Sequence, residues 1–178
     1  KGPSSSLYGS EAMAGVINII TDKSASKKFN TSIRYGTYNT LDANIGGSTT
    51  LGKLGINAFI NSYNSDGYGI RPFSVDRTVA PIWRLRNQLQ LTYPISSKTK
   101  IEVSARYSYE HIKNTIAVTN NGVITYSDGK EIHHDFNLNP VITHNFNSKL
   151  KSALRLYATR FQSEQKLNTS VSSLYDDK

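Results

Sequence analysis

From Phe29 onward, the apolar side chains of this chain recur at every second position. Between Ile101 and Tyr109 the odd-numbered residues are Ile, Val, Ala, Tyr and Tyr, whereas the even-numbered residues are Glu, Ser, Arg and Ser. Successive side chains of a β-strand point to opposite faces of the sheet, so this period of two predicts strands with one apolar and one polar face. The alternation therefore favours an all-β fold. The same pattern recurs over residues 29–35, 54–60, 83–93 and 150–158.

We expect seven antiparallel strands. Pro140 falls inside the sixth, where it would remove a backbone donor from the ladder, so a bulge is expected there. The predicted strands are 28–38, 40–50, 54–65, 82–94, 99–112, 131–146 and 149–163.

The connections between these strands alternate in length. Tight turns are predicted at 51–55, 95–98 and 147–148, and long loops at 66–81 and 113–130. A further short turn, at 36–39, joins the first two strands. Short turns at one end and longer loops at the other are typical of outer-membrane β-barrels, whose short turns lie in the periplasm.

The composition is compatible with a membrane barrel. No stretch approaches the roughly 20 apolar residues of a membrane-spanning helix, but a spanning strand needs only about 10. In such a barrel the apolar face would meet lipid and the polar face the lumen. Aromatic residues near the predicted strand ends would suit the membrane interfaces, although a soluble β-sandwich also remains open. These aromatics are Tyr35, Tyr38, Tyr63, Tyr68, Trp83, Tyr93, Tyr107 and Tyr109.

The first 21 residues carry a motif, KGPSSSLYGSEAMAGVINIIT. It resembles the segment that closes the plug domain in TonB-dependent outer-membrane receptors, and more closely their siderophore and cobalamin branch than their glycan importers. Lys1 stands where an arginine is more familiar, and Ala14 where a second glycine often occurs. The motif positions, expected to be structural, are Gly2, Pro3, Leu7, Tyr8, Gly9, Gly15 and Asn18.

The resemblance implies an organisation and a mechanism. Residues 1–23 would be the C-terminal end of the plug, 24–28 a linker, and 29–178 the first seven or so strands of a transmembrane antiparallel barrel of about 22 strands. We therefore expect a piece of a larger chain. Such receptors import scarce nutrients, and the resemblance implies a ferric siderophore or cobalamin as ligand. The implied partners are outer-membrane lipid, a small-molecule ligand such as a metal chelate, and the TonB energy-transducing complex, which would act through a plug segment missing here.

Candidate ligand contacts lie in the first long loop. Tyr68, Arg71, Phe73 and Arg77 offer cationic and aromatic groups that suit an anionic or aromatic chelate, although they could equally serve only to pack the loop. Arginines predicted on the polar face would bias a lumen toward anions, or would pair with plug carboxylates or hydrate the lumen. These arginines are Arg34, Arg84, Arg86, Arg106 and Arg155.

No motif supports enzymatic chemistry, and we expect no cofactor. The chain lacks cysteine, which excludes disulfide bonds, zinc-thiolate sites and thiol nucleophiles. His133 and His134 invite a metal interpretation, but neighbouring residues of a strand point to opposite faces, so no metal site is expected.

Other functions remain possible. Import of a glycan or oligopeptide by the same fold is one alternative, and a non-transporting β-rich adhesin or binding module is another. The net charge of +8 permits a nucleic-acid-binding β domain. That class is disfavoured because the arginines lie opposite the aromatic residues instead of among them, so we expect no nucleic-acid partner.

Overall fold

A computed structural model describes residues 28–70, 77–120 and 123–173, and all the strand pairing in these ranges is antiparallel. This confirms the predicted all-β class. The predicted plug end, with its seven motif residues, lies outside the described residues. The strands are β1 Lys28–Gly36, β2 Thr40–Leu51, β3 Leu54–Ser65, β4 Ile82–Pro94, β5 Thr99–Asn120, β6 Val123–Asn145, β7 Lys151–Arg155 and β8 Ala158–Ser173.

The strands form one sheet in which each strand from β1 to β6 pairs with the next, and β8 pairs with β6 beside β7. β7 and β8 pair with β6 in one continuous register. Val141 faces Arg155 on β7 and Leu138 faces Ala158 on β8, so pairing resumes without an inserted residue. The sheet is therefore a seven-stranded meander whose final strand is interrupted at 156–157, in agreement with the seven strands predicted.

Pro140 explains the interruption. The amide of Leu156 donates to the carbonyl of Pro140 at 3.0 Å, which places the polar backbone groups of Pro140 on the side of the last strand. In an antiparallel ladder such a pair exchanges two hydrogen bonds, and proline cannot supply the second. The prediction of a bulge at Pro140 is wrong. The register of β6 against β5 is unbroken there, because the missing donor faces the last strand and not β5.

The prediction of a long loop at 113–130 is also wrong. β5 continues to Asn120 and β6 begins at Val123, so this segment is the far end of a hairpin of 22- and 23-residue strands. Alternation fades there, although the β-branched Thr115, Ile116 and Val118 suit a strand. The last strand likewise extends beyond its predicted end, to Ser173.

The remaining connections match the prediction more closely. Gly52 and Lys53 form a two-residue turn between β2 and β3, and Gly52 has a φ of 59°, as a type II′ hairpin turn requires at its first central residue. The connections at 95–98 and 146–150 are also short. The long connection at 66–81 separates β3 from β4, and its residues 71–76 are not among those described.

The register places the apolar side chains of neighbouring strands on one face, here called the apolar face. Directly opposed residues of an antiparallel pair share a face. The pairs that show this continuity include Ile45↔Ile60, Ala58↔Leu89, Leu91↔Val103, Ile101↔Ile142 and Ile142↔Leu154. The alternate residues form the polar face.

The apolar face has no covering layer within the described ranges. None of the large side chains described is fully buried, and Phe29 and Ile33 are 73% and 74% exposed. This sheet therefore owes its shape to the backbone ladder and not to an internal hydrophobic core. No helix long and apolar enough to cross a membrane occurs in the part of the chain that the structure describes.

Replacing Pro140 by alanine should restore the missing ladder donor. We expect β7 and β8 to merge into one strand and the protein to gain about 1 kcal/mol in its free energy of unfolding, the usual worth of one hydrogen bond. Hydrogen exchange should show a new slowly exchanging amide at position 140, with exchange in β2 and β3 unchanged as the internal control. Rapid exchange at position 140 would contradict this explanation of the interruption.

Candidate functional site

Successive turns of a meander lie alternately at the two ends of its strands, and each end forms one border of the sheet. The β1–β2, β3–β4 and β5–β6 connections share one edge, here called the loop edge, and the other three share the opposite, turn edge. The loop edge carries the long loop at 66–81 and the protruding β5–β6 hairpin. Candidate ligand residues therefore collect at the loop edge and on the adjoining polar face.

The β1–β2 turn docks against the long loop. Tyr38 and Asn39 both have positive φ, and the amide of Thr40 donates to the carbonyl of Thr37 at 3.2 Å, as in a type I′ turn. Asparagine tolerates this conformation, but a tyrosine in it is uncommon. The Tyr38 ring stacks on the Tyr68 ring with their centroids 5.1 Å apart, so the strained turn residue forms a contact to the loop.

A short neck closes the long loop where it leaves the sheet. Tyr68 and Val79 exchange two backbone hydrogen bonds, of 3.0 and 2.9 Å. The amide of Ile70 donates to the hydroxyl of Thr78 at 3.0 Å. The Arg77 guanidinium donates to the carbonyl of Asp66, whose own amide donates to the carbonyl of Tyr38 at 2.9 Å. The neck therefore fixes both arms of the loop and the neighbouring turn.

Gly67 makes the neck possible. It has a φ of 67°, and a Cβ at this position would lie 2.1 Å from the carbonyl oxygen of Val79. The two arms of the loop approach so closely that no side chain fits between them. The Ser65 hydroxyl accepts from the Gly67 amide at 3.2 Å and contacts the Thr40 hydroxyl at 3.0 Å, so it ties this point to the start of β2.

Two of the four predicted ligand residues can be located. Tyr68, which is 38% exposed, and Arg77, which is also exposed, both lie in the neck, where each makes a packing or backbone contact. The structure thus gives both residues a structural task, and their ligand role stays a prediction. Arg71 and Phe73 lie outside the described residues. Sequence reasoning missed the pairing of Tyr38 with Tyr68, since no local pattern relates side chains so far apart in the chain.

The polar face carries a charged cluster near the loop edge. The Arg84 guanidinium pairs with the Glu110 carboxylate on the next strand and lies 6.0 Å from the centre of the Tyr63 ring. The His133 ring lies between two carboxylates, 3.7 Å from Glu110 and 3.8 Å from Glu131. This cluster spans β3 to β6 and offers a polar surface of both signs.

The five arginines predicted to share the polar face do so by register, but they differ in their partners. Arg34 pairs with the Asp42 carboxylate, which also accepts from the Asn61 amide at 2.7 Å. Arg86, Arg106 and Arg155 are exposed and have no ion-pair partner among the residues described. These three cations are therefore available to an anionic group brought to this face.

The adjacent histidines face opposite ways, as expected. His133 lies on the polar face beside Glu110, whereas His134 lies on the apolar face and shares a 2.8 Å hydrogen bond with the Tyr107 hydroxyl. Within the described ranges, no group of three or more His, Asp or Glu side chains is placed to hold a metal ion. The arrangement on the polar face suits binding by charge and hydrogen bonds.

The chain is similar to proteins named vitamin B12 transporter BtuB from three strains of Vibrio cholerae serotype O1. Each is 36% identical over 75 residues, which cover 40% of this chain and 12% of the relative. No protein-family model matches the chain, and no solved structure matches it. The similarity therefore links part of this chain to a transporter and covers only a small part of that transporter's length.

Replacing Gly67 by alanine should break the neck, whereas the same change at Gly52 should be tolerated. Both glycines have positive φ, but nothing lies within 4 Å of a Cβ at Gly52. We expect Gly52→Ala to cost about 1 kcal/mol in the free energy of unfolding, from the left-handed backbone alone. Gly67→Ala should cost roughly 3 kcal/mol or more, because overpacking adds to that strain.

Denaturant titration and limited proteolysis of the loop at 66–81 would measure the difference. The loop should become protease-sensitive in Gly67→Ala only. Equal effects of the two substitutions would show that the close approach of the two arms is not needed.

Proposed function

We propose that this chain belongs to a TonB-dependent outer-membrane receptor, a transporter that imports a scarce nutrient across the bacterial outer membrane. The proposal rests first on the motif at residues 1–21, whose order of glycine, proline, tyrosine and β-branched residues resembles the end of a receptor plug. The similarity of part of the chain to vitamin B12 transporters also supports it. The all-β meander with one continuous apolar face is the architecture that such a receptor needs.

In this proposal the apolar face lies against lipid. Hydrogen-bonded strands can cross a bilayer because every backbone group finds its partner in the neighbouring strand. Aromatic rings gather on the apolar face near the loop edge, where Tyr109 contacts both Trp83 and His134 with ring centroids 5.2 Å apart. Tyr93 lies near the turn edge. Rings with polar tips favour the two membrane interfaces, so these positions suit a sheet that spans the bilayer.

The polar face would then line the lumen around the plug. Ligand would be captured at the loop edge, and the TonB complex would draw on the plug so that the ligand passes to the periplasm. No bond is made or broken in the ligand. Arg86, Arg106 and Arg155, exposed on the polar face, would give the lumen a positive bias toward an anionic chelate.

A ferric siderophore or cobalamin is the ligand class we favour. The motif at residues 1–21 resembles the siderophore and cobalamin branch, and the relatives are named for vitamin B12. Import of a glycan or oligopeptide by the same fold is the second candidate, and a non-transporting β-rich adhesin is a candidate of another class. Measured uptake would distinguish the adhesin from both importers.

An arginine on the apolar face should destabilise the membrane-inserted protein, and an arginine one residue away should not. Val103 lies on the apolar face between Leu91 and Pro140, whereas Ser104 lies on the polar face. If the apolar face meets mid-bilayer lipid, Val103→Arg should cost roughly 2–4 kcal/mol.

The matched control is Ser104→Arg, which should cost well under about 1 kcal/mol. Both free energies should be measured by reversible unfolding of the complete receptor in lipid vesicles. Similar costs for the two variants would refute the assignment of the faces.

Ligand capture should be measured on the complete receptor with cyanocobalamin and a set of ferric siderophores. We expect one of these to bind, and Arg77→Ala to weaken it about tenfold if the guanidinium contacts the ligand. Tyr68→Phe keeps the stacked ring and tests the hydroxyl alone, and Lys53→Ala at the turn edge is the control that should change nothing. Failure of every probe to bind would favour the glycan or oligopeptide importer.

A further inference from the structure

A row of three lysines crosses β5, β6 and the last strand on the apolar face. Lys113 faces Lys130, and Lys130 faces Lys166, each in direct register. Directly opposed residues of an antiparallel pair point to the same side with their Cβ atoms about 5 Å apart, so the three ammonium groups share one patch. We call these residues the lysine row.

The lysine row is costly without a counter-ion. Like charges directly opposite one another destabilise a sheet. All three side chains are exposed, and Lys113 and Lys130 have no ion-pair partner among the described residues. Lys166 pairs with Glu164 at 2.7 Å, and Asp128, two residues from Lys130, accepts from the Thr115 hydroxyl at 2.8 Å. The two carboxylates leave the patch with an excess of positive charge.

A histidine with a buried ring nitrogen lies beside the lysine row. His111 lies two residues inside Lys113, and its Nε2 atom is buried and has no hydrogen-bond partner in the part of the chain described. The register of the three lysines therefore makes the site electropositive by geometry.

The lysine row ends a graded series of side chains. From the turn edge to the loop edge along these three strands, the rows change from aliphatic, through mixed rows that hold aromatic rings together with Arg160 and Glu164, to the three lysines. The change from aliphatic to cationic side chains follows the direction from the interior of a membrane to its charged headgroups. The rows are Ile101–Ile142–Leu154, Val103–Pro140–Leu156, Ala105–Leu138–Ala158, Tyr107–Phe136–Arg160, Tyr109–His134–Gln162, His111–Ile132–Glu164 and Lys113–Lys130–Lys166.

The position of the lysine row along the strands also suits the level of the lipid headgroups. Lys113 is twelve residues beyond Ile101 on the same strand. At about 3.3 Å per residue and a tilt of about 40°, the two residues differ in height by about 30 Å. The apolar band of an outer-membrane barrel is about 25 Å tall, so the lysine row would lie just outside it, at headgroup level.

We propose that the lysine row binds the phosphorylated headgroup of a lipid in the outer leaflet, above the shallow groove lined by Tyr107, His134, Phe136, Arg160 and Gln162. The ammonium groups would hold the phosphate oxygens, and the groove and the aliphatic rows beneath it would accept the acyl chains. This inference rests on the proposed membrane function, because it places the apolar face in lipid.

The experiment uses the complete receptor in phosphatidylcholine vesicles with and without lipid A, a phosphorylated glycolipid. The test variant carries Lys113→Gln, Lys130→Gln and Lys166→Gln together. The matched control carries Lys53→Gln, Lys98→Gln and Lys149→Gln, which remove the same charge from exposed turn-edge positions. Retained lipid A would be quantified by native mass spectrometry and by competition with a labelled lipid.

We expect the lysine-row variant to bind lipid A roughly a hundredfold more weakly, since each lysine near an anionic surface contributes about a factor of five to ten. The control variant should bind as the unmodified protein does. In vesicles of phosphatidylcholine alone, the lysine-row variant should be at least as stable as the unmodified protein, because the repulsion within the row is relieved.

Three results would overturn the inference. They are equal binding by the two variants, equal binding of lipid A after its phosphates are removed, and displacement of lipid A by inorganic pyrophosphate at the same concentration, which would indicate a site for a free anion. Insertion into vesicles, followed by flotation, is scored separately. Loss of insertion would refute the membrane function as well, whereas intact insertion with unchanged lipid binding would refute only the lipid site.

Discussion

The inter-strand register is the constraint on which the rest of this structure depends. No large side chain is fully buried among the described residues, so no core sets the positions of the strands. The ladder does so, and a slip of one residue in any strand would exchange its two faces. Because every pairing keeps its register over its whole length, seven separate alternations combine into one apolar and one polar face. Both the proposed lipid contact and the proposed lumen follow from that combination.

The departures from a regular ladder occur where they do little harm. Pro140 lacks a donor only toward the last strand, and the pairing of β6 with β5 continues past it. At the loop edge, Tyr38 has a positive φ and its ring stacks on Tyr68. Gly67 has no Cβ, and the two arms of the loop therefore approach each other closely at this residue. The loop edge is thus held by contacts between turns, in contrast to the turn edge, whose connections are merely short.

Charged side chains are arranged differently on the two faces of the sheet. On the polar face, Arg84 and Arg34 are neutralised by carboxylates of neighbouring strands, and three other arginines stay exposed. On the apolar face of β5, β6 and the last strand, the charged side chains of Arg160, Glu164 and the lysine row all lie on the loop-edge side of the aliphatic rows. The first arrangement suits a polar ligand in a lumen. The second suits a boundary between hydrocarbon and charged headgroups, since a lysine costs least where its ammonium group reaches water or phosphate.

The sequence alone determined the all-β class, the positions of the first four strands, and the apolar and polar sides of each strand, because a period of two is a local property of neighbouring residues. The motif at residues 1–21 likewise suggested a receptor without any structure. Only the tertiary structure decided that 113–130 is a hairpin, which backbone partner Pro140 deprives of a donor, and that Tyr38 meets Tyr68. It also brought Lys113, Lys130 and Lys166 into one row. These features depend on pairing between residues distant in the chain, and one strand's pattern contains no information about which residue of the next strand lies opposite.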